Sequence, residues 1–403
     1  MRADKTLCFL LGLIVMLGAP ATATSDNDEN AFHVYWRNGL RFDTADGRIK
    51  LEIGGRLQND WMFGSGDEAL ESALGEVSGG TEFRRAWLHV SGTFYNVIEF
   101  KVQYGFEGGD VDLKDGYIGI RSIPALGTFR IGHFKEPFSL EELTGNSYLT
   151  FLERALPNLF APSRNTGFAV INRAPGVTWA FGLFRDTDSY GALTENEKDW
   201  AFTGRMTATP WDENGGLRLL HLGGAFSIRS PNDDVMRYRQ RPEAHLANRF
   251  VDTRAFAAES VNLYGLEAAM VYNSFSLQGE YIGAMVNSNE LGDPSFNSYY
   301  LFATYFLTGE HRRYSGSTAT FGRTTPNENF GPGGGMGAWE VCLRYSHLDL
   351  TDGLIAGGVL DDFTVALNWY LNPNTRFMFN YVYADREDVG SANIFQMRFH
   401  IDF

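Results

Sequence analysis

Cysteine is nearly absent from this 403-residue sequence, which contains only Cys8 and Cys342. Because Cys8 lies in an N-terminal segment that we expect to be removed, the mature chain has a single cysteine and no internal disulfide. After that segment, no stretch approaches the roughly 18 consecutive apolar residues of a membrane-spanning helix. The fold must therefore depend on packing and hydrogen bonds, without disulfides and without a transmembrane helix.

Positive charge is also in deficit, with 34 Lys and Arg against 49 Asp and Glu and a formal charge of −15. This balance disfavours a nucleic-acid partner. The sequence has no Gly-x-Ser-x-Gly elbow, no His-Glu-x-x-His motif and no phosphate loop. Its eight histidines are scattered. We therefore predict no enzymatic activity, no metal site and no cofactor; an outer-membrane barrel enzyme of lipase type is the less favoured alternative.

The first thirty residues have the layout of a secretory signal peptide. Arg2 and Lys5 precede an apolar run from Leu7 to Leu17, and Ala21-Thr-Ala23 supplies small residues for cleavage. We expect residues 1–23 to form this exported leader. Residues 24–47 are then predicted to be a short periplasmic segment, and residues 48–403 to be the folded unit.

A period of two recurs along the rest of the chain. In Phe395–Phe403, which reads FQMRFHIDF, every odd-numbered residue is apolar and every even-numbered residue is polar. The same alternation occurs over 99–106, 363–371 and 376–383, and it indicates strands with one apolar and one polar face. We predict sixteen strands, near 48–61, 81–95, 97–107, 112–121, 128–134, 166–173, 176–185, 200–209, 217–230, 260–273, 275–287, 296–308, 337–350, 360–372, 374–387 and 392–403.

The connectors between these strands differ in length. Tight turns at Asn96, Asn273-Ser274 and Asn372-Pro373 contrast with longer polar segments. An even number of strands with short turns at one rim and long loops at the other is typical of a bacterial outer-membrane barrel. The long loops are predicted at 62–80, 135–165, 186–199, 231–259, 309–336 and 351–359, with the glycine-rich stretch 332–335 on the external side.

A soluble β-sandwich is the alternative to a membrane barrel, because it also has alternating strands joined by turns. Aromatic residues favour the barrel, since they make up 14% of the chain and dominate its apolar positions. Tryptophans also occur near predicted strand ends, where their rings suit a lipid–water boundary. The favoured fold class is therefore an all-β, transmembrane antiparallel barrel of about sixteen strands.

Several motifs resemble the start of the phosphate-selective porin O and P family. They are Asn38-Gly-Leu-Arg-Phe42, Ile53-Gly-Gly-Arg-Leu-Gln58, Phe83-Arg-Arg-Ala-Trp-Leu88, Leu113-Lys-Asp-Gly-Tyr-Ile118, Gly132-His-Phe-Lys-Glu-Pro-Phe-Ser139 and Phe151-Leu-Glu-Arg-Ala-Leu-Pro157. The resemblance implies a sixteen-stranded outer-membrane barrel, normally a homotrimer, with a long third loop folded into the lumen. It also implies a pore lined with arginines and lysines that capture phosphate or pyrophosphate.

If the apolar residues at alternate positions of each strand face lipid, the residues at the positions between them face the lumen. This rule, with the third loop, predicts a set of cationic pore-lining residues that contact anions. Ion pairing with lumen acids such as Glu99, Glu267 and Glu340 is the alternative role for each of them. The set is Arg56, Arg85, Lys101, Arg121, Arg130, Lys135, Arg154, Arg164, Arg205, Arg229, Arg344, Arg376 and Arg398.

The predicted constriction loop, at about 135–165, departs from the family pattern. Its segment from Pro137 to Arg154 contains Glu141, Glu142 and Glu153 but only one arginine, Arg154, and no lysine beyond Lys135 at its base. Helical spacing after Phe151 predicts a short helical turn in it. We expect Glu153 to anchor the loop, whereas Glu141 and Glu142 are either pore-facing or part of a solvated loop face. This acidity keeps a general or cation-favouring pore open as an alternative.

These observations predict a porin in the bacterial outer membrane that lets small ions and solutes diffuse passively. An anion preference is expected from its cationic lumen, with phosphate or related oxyanions as candidate solutes. Outer-membrane lipid and, through the final strand, the barrel-assembly machinery are the other expected partners. Phe403 is the predicted assembly residue, because a terminal aromatic after such alternation resembles the signal that this machinery recognises.

Overall fold

The computed structural model describes residues 31–192 and 199–403, so the predicted leader lies outside the described residues. Sixteen antiparallel strands form one barrel, which closes where the last strand pairs with the first. The predicted fold is confirmed. The strands are β1 Ile49–Gly66, β2 Gly80–Phe94, β3 Ile98–Gly105, β4 Asp112–Ile123, β5 Gly127–Lys135, β6 Arg164–Ala174, β7 Val177–Arg185, β8 Ala201–Glu213, β9 Arg218–Arg229, β10 Ser260–Tyr272, β11 Phe275–Asn287, β12 Ser295–Phe306, β13 Ala338–Asp352, β14 Ile355–Asn372, β15 Thr375–Arg386 and β16 Gly390–Asp402.

Alternation of apolar and polar residues explains why these segments form a closed barrel. On β14, the side chains of Phe363 and Val365 are exposed on the outer wall, whereas Thr364 and Asn368 are buried inside. Closure pairs every strand of the barrel with a neighbour on both sides. A chain in lipid requires this, because no water is there to hydrogen-bond the backbone groups of an open strand edge. None of the helices in the described ranges is long and apolar enough to cross a membrane.

A short β-hairpin precedes the barrel. Its strands are Phe32–Trp36 and Leu40–Thr44, which pair with each other. The second of them also pairs with β1, where Leu40 lies opposite Ile53 and Asp43 opposite Lys50. We call residues 32–44 the N-terminal hairpin. It continues the sheet where β16 ends, because the last residue in the β16 ladder, Asp402, lies opposite Arg56.

The two rims of the barrel differ in connector length, as predicted, but the structure differs from the prediction at two loops. Residues 307–337 join β12 to β13, so they lie at the rim of the tight turns 95–97 and 273–274. The prediction that 332–335 belongs to an external loop is therefore wrong. The predicted long loop at 351–359 is also wrong, because β13 and β14 continue to a turn at 353–354. We call residues 307–337 the turn-side loop.

The loops contain short elements of their own. The third loop, residues 136–163, has a helix at Leu140–Leu143 and a 3₁₀ turn at Leu156–Leu159. The helical spacing after Phe151 predicted a helical turn in that segment; residues 151–155 are not helical and only the 3₁₀ turn follows them, whereas the helix at Leu140–Leu143 was not predicted. The other elements are the helix Glu68–Leu74, the 3₁₀ turns Glu107–Gly109 and Asn232–Asp234, and the strand pairs Val235–Met236 with Phe256–Ala257, Arg239–Gln240 with Val251–Asp252, and Tyr314–Ser315 with Thr320–Phe321.

One half of the lumen is filled rather than open. The fifth loop, residues 230–259, packs with the third loop against the inner wall, where the inward side chains of β10 to β16 are apolar near the loop rim. Phe138, Leu156 and Phe160 of the third loop meet Tyr238 and Phe250 of the fifth in this core. The wall contributes residues such as Val261, Ile282, Leu348, Leu360, Val382 and Ile394. The expectation of a uniformly polar lumen is therefore wrong for this half.

Candidate functional site

The open part of the lumen is a cavity of about 730 Å³ against strands β1 to β8. The third loop borders it through Pro137, Leu143, Gly145 and Asn146. The tip of the turn-side loop borders it with hydroxyl-bearing Ser317, Thr318 and Thr320. Residues of the tight turns, including Ser122 and Gly127, also line it, so the cavity extends from the third loop to the turn rim.

The lining of this cavity is strongly cationic although the chain as a whole is acidic. Its acidic side chains are Glu99 and Asp115, so the formal excess is six positive charges. The eight cationic side chains are Arg56, Lys101, Arg121, Arg130, Lys135, Arg164, Arg173 and Arg205. Rings of cationic side chains favour the passage of anions.

Two of these cations share one carboxylate, and a third, Arg56, lies beside them without an acidic partner in the described ranges. Lys101 Nζ lies 2.7 Å from one oxygen of Asp115, and Arg164 Nε lies 2.7 Å from the other. Arg56 has no acidic partner within ion-pairing distance among the described residues; its guanidinium lies 4.9 Å from the centre of the Trp87 ring instead. Arg164 also lies 5.4 Å from that ring. An aromatic face attracts a cation without cancelling its charge, so this cluster keeps unneutralised positive charge beside the cavity.

A second group of cations is partly neutralised. Arg130 donates to Glu99 at 2.7 Å and stacks 4.0 Å from the centre of the Tyr117 ring. Arg121 lies 3.8 Å from the same Glu99 carboxylate. Among the described residues, Arg121 and Arg130 thus share the Glu99 carboxylate, as Lys101 and Arg164 share that of Asp115.

Six of the predicted anion contacts lie away from the cavity, and five of them bind loop residues. Arg154 donates to the Glu141 carbonyl at 3.0 Å, Arg376 to the Leu149 carbonyl at 2.8 Å, and Arg229 pairs with Glu136 and Asp186. Arg344 pairs with Glu243 of the fifth loop. Arg85 donates to Gln58, and Arg398 pairs with Asp60 and Glu153. Whether any of the thirteen predicted cations contacts a permeating anion stays a prediction.

The carboxylates of the third loop are buried and bonded. Glu142 pairs with Lys135 at 3.0 Å and Arg154 at 3.3 Å. Burial raises the pKa of Glu142, but these two cations outweigh it and lower the pKa to about 2. Glu141 accepts a hydrogen bond from the amide of Ala155 at 2.9 Å. These side chains are therefore engaged inside the loop and are not free at the cavity surface.

Wall residues fix both ends of the third loop. Glu280 of β11 accepts hydrogen bonds from the amides of Leu140 and Glu141 at 3.0 and 2.7 Å, which satisfies the first turn of the short helix. At the far end, Glu153 accepts two hydrogen bonds of 2.9 Å from Arg84. Arg84 reaches the lumen because the pairing of β1 with β2 shifts register between Gln58 and Asn59. A β-bulge of this kind re-aims a side chain.

Comparisons with known proteins agree with this architecture. The profile of the phosphate-selective porin O and P family matches residues 48–403. The chain belongs to this family. A protein of Caulobacter vibrioides is 31% identical over 372 residues, covering 87% of this chain and 71% of its own. Porin O of Pseudomonas aeruginosa is 24% identical over 399 residues, covering 89% of this chain and 88% of its own.

Solved porins share the fold at low identity. An anion-selective porin from Comamonas acidovorans is 14% identical with a TM-score of 0.55, over 88% of this chain and all of that one. OmpT of Vibrio cholerae with one loop deleted is 13% identical with a TM-score of 0.56 over the same shares. Membership of the porin O and P family and the closed barrel make this protein a channel of the bacterial outer membrane.

Sequence reasoning missed several residues of this porin's lumen. Arg173 lines the cavity, as do Ala169 and Ile171, which precede it at every second position of β6. The alternation along this strand could therefore have identified Arg173 as a lumen residue. Arg84 carried no such signal, because the bulge that turns it inward is a feature of pairing. Glu243, which binds Arg344, Ser346 and Thr364, lies in a loop whose inward course has no local signature.

Phe403 lies at the seam of the porin barrel. Its amide donates to the Gly55 carbonyl at 2.9 Å, and the Gly55 amide donates to its carbonyl at 2.6 Å. Its ring is 36% exposed on the outer wall. Its role in assembly stays a prediction.

Proposed function

We propose that this porin conducts anions in preference to cations, by passive diffusion through the cavity beside β1 to β8. The eight cationic side chains of the cavity lining, against two acidic ones, carry the proposal. Lys135 and Arg205 are paired with Glu142 and Glu267, so the excess of positive charge at the cavity is four once these two pairs are counted. An anion entering this space meets guanidinium and ammonium groups in succession, each of which replaces part of its hydration shell. No group reacts with the solute, so the wall charges and the width of the passage set the selectivity.

Phosphate and related oxyanions are the proposed preferred solutes. Arginine presents planar donors that match the oxygens of phosphate and carboxylate groups, and Arg56, Arg130 and Arg164 face this cavity. The hydroxyl groups of Ser317, Thr318 and Thr320 add neutral donors to the cavity lining. Family membership supports the same solute class, because the family is described as phosphate-selective.

The fifth loop is proposed to collect anions at the loop rim. Arg237, Arg239 and Arg254 are exposed there, and Asp252 pairs with both Arg237 and Arg254. Burial and, after it, the charges of Arg239 and Arg241 lower the pKa of Arg249 in the same loop. Asp233 and Asp234 are also exposed in this loop. The proposed collection of anions is therefore limited to the part of the rim formed by Arg237, Arg239 and Arg254, where positive charge raises the local concentration of anions.

A general or cation-favouring pore is the second candidate, because the acidic loop residues and the net charge of −15 would attract cations. The contacts of the third loop weigh against it, since Glu142 and Glu153 are each paired with two cations. The acidic residues of the chain thus contribute little to the cavity lining. We further propose a homotrimer, which rests on the family resemblance.

One experiment separates the two candidates. The purified porin is inserted as single channels into a planar bilayer, and the reversal potential is measured across a potassium chloride gradient. A reversal potential on the chloride side supports anion preference, and one on the potassium side overturns it. Phosphate added at millimolar concentration should then block chloride current, and an absence of block would overturn only the oxyanion part.

A further inference from the structure

The N-terminal hairpin has one apolar and one polar face. Phe32, Val34 and Trp36 are 48%, 52% and 62% exposed on one face of its first strand. His33 and Tyr35 alternate with them on the other face, where Tyr35 donates to Asp43 at 3.1 Å. Successive side chains of a strand point to opposite faces, so an exposed row of large apolar side chains belongs to one surface only.

This apolar row continues the outer wall of the barrel. Across the strands, Trp36 lies opposite Leu40, and Leu40 lies opposite Ile53 of β1. Val34, Phe42 and Leu51 are paired across the strands in the same way. Leu57 of β1 and Phe403, both exposed on the outer wall, have the same parity. The polar face continues inward, since Arg41 pairs with Glu52 of β1 at 2.9 Å.

The hairpin also abuts the end of the last strand. Gly39 at its turn has a φ of +144°, and a Cβ there would come within 3.3 Å of the carbonyl carbon of Phe403. Glycine permits both the backbone angle and the close approach. The hairpin thus pairs with the part of the β1 edge that β16 leaves unpaired. Its apolar face is continuous with the outer surface of the barrel, which contacts lipid.

We propose that the N-terminal hairpin is a lipid-contacting extension of the barrel wall, with Phe32, Val34 and Trp36 in the acyl-chain and headgroup boundary of the periplasmic leaflet. Continuity with the lipid-facing wall supports lipid as the occupant. The residue types agree, because aromatic side chains are enriched at the membrane–water boundary. This inference is independent of the ion selectivity of the channel.

Site-specific fluorescence tests the proposal in the full-length porin. Single cysteines replace Phe32, His33, Val34 or Tyr35 in a Cys342→Ala background, since Cys342 is the one cysteine in the described ranges. Each variant is labelled with the environment-sensitive dye NBD and reconstituted in phospholipid vesicles. Quenching is measured with spin-labelled acyl chains in the bilayer and, separately, with iodide in the buffer. His33 and Tyr35 serve as matched controls on the same strand.

The expected result is a blue-shifted emission at positions 32 and 34, with acyl-chain quenching several-fold stronger than at 33 and 35. Iodide should quench in the opposite order. Equal iodide quenching at all four positions would show that the hairpin projects into water and would overturn the proposal. Shielding of positions 32 and 34 from both quenchers would also overturn it, because a second protein surface must then cover this face. Slow migration of the unheated protein in SDS gels confirms that each variant is folded.

Discussion

The guanidinium of Arg398 on the last strand lies 2.8 Å from the carboxylate of Glu153 in the third loop. The same guanidinium forms two hydrogen bonds of 2.7 and 2.6 Å to Asp60 on the first strand. Arg84 on the second strand donates to both carboxylate oxygens of Glu153 at 2.9 Å. Closure of the barrel and the position of the third loop therefore depend on one buried network.

Replacing Glu153 by Gln should loosen the third loop and destabilise the porin. The change leaves Arg84 and Arg398 short of negative charge in a buried site, and breaking a buried ion pair by removing one partner costs about 3–5 kcal/mol. We expect the temperature at which the folded form is lost in SDS gels to fall, and single-channel current to become noisier as the loop fluctuates.

Glu82→Gln is the matched control for this change. Glu82 pairs with His245 at 2.7 Å, but both side chains are partly exposed, and exposed ion pairs contribute about 0–1 kcal/mol. Its variant should keep the thermal stability and quiet current of the parent. Equal behaviour of the two variants would show that the Glu153 network does not hold the loop.

Replacing Arg56 by Gln should reduce anion preference without unfolding the barrel, because Arg56 has no ion-pair partner in the described part of the chain. One unit charge about 4 Å from an anion is worth about 1 kcal/mol in water. The ratio of anion to cation permeability should therefore fall by up to about fivefold. The reversal potential in a potassium chloride gradient measures this ratio.

Arg56→Lys provides the control for charge, since it keeps the cation but loses the planar donors. It should retain the reversal potential while weakening block by phosphate. If Arg56→Gln left the reversal potential unchanged, anions would not pass beside Arg56, and the proposed path through this cavity would be wrong.

The tip of the turn-side loop should contribute to the choice among anions. Arg205 donates to the Ala319 carbonyl at 2.9 Å, which holds Ser317, Thr318 and Thr320 beside the cavity. Replacing these three residues by Ala, Val and Val removes hydroxyl donors and nearly preserves volume. Chloride conductance should persist while phosphate affinity, read from current block, falls severalfold. Ser274→Ala, in the tight turn between β10 and β11 and outside the cavity lining, should leave both unchanged. Unaltered phosphate block in the triple variant would assign the oxyanion preference to the arginines alone.

The alternation of apolar and polar residues was enough to predict the strands and the inward orientation of Arg56, Lys101 and Arg130, because successive side chains of a barrel strand point alternately outward and inward. Counting strands would also have placed the turn-side loop correctly, since a connector after an even-numbered strand returns to the rim that carries the final residue. The filled half of the lumen could not be predicted in this way. It depends on contacts such as Arg344 with Glu243, 101 positions apart, and on the bulge that turns Arg84 inward.

Removal of Phe403 should impair assembly more than conduction. The deletion abolishes both main-chain hydrogen bonds to Gly55 and opens the seam between β16 and the N-terminal hairpin, yet it takes nothing from the cavity lining. Phe403→Ala keeps those bonds and removes only the outward ring, so it separates the two contributions. The folded fraction in outer membranes, read from unheated SDS gels, should fall strongly for the deletion, while single channels that do form keep their conductance. A folded fraction that falls equally in Phe403→Ala would mean that the ring itself is recognised during assembly, whereas normal assembly of the deletion would contradict the prediction outright.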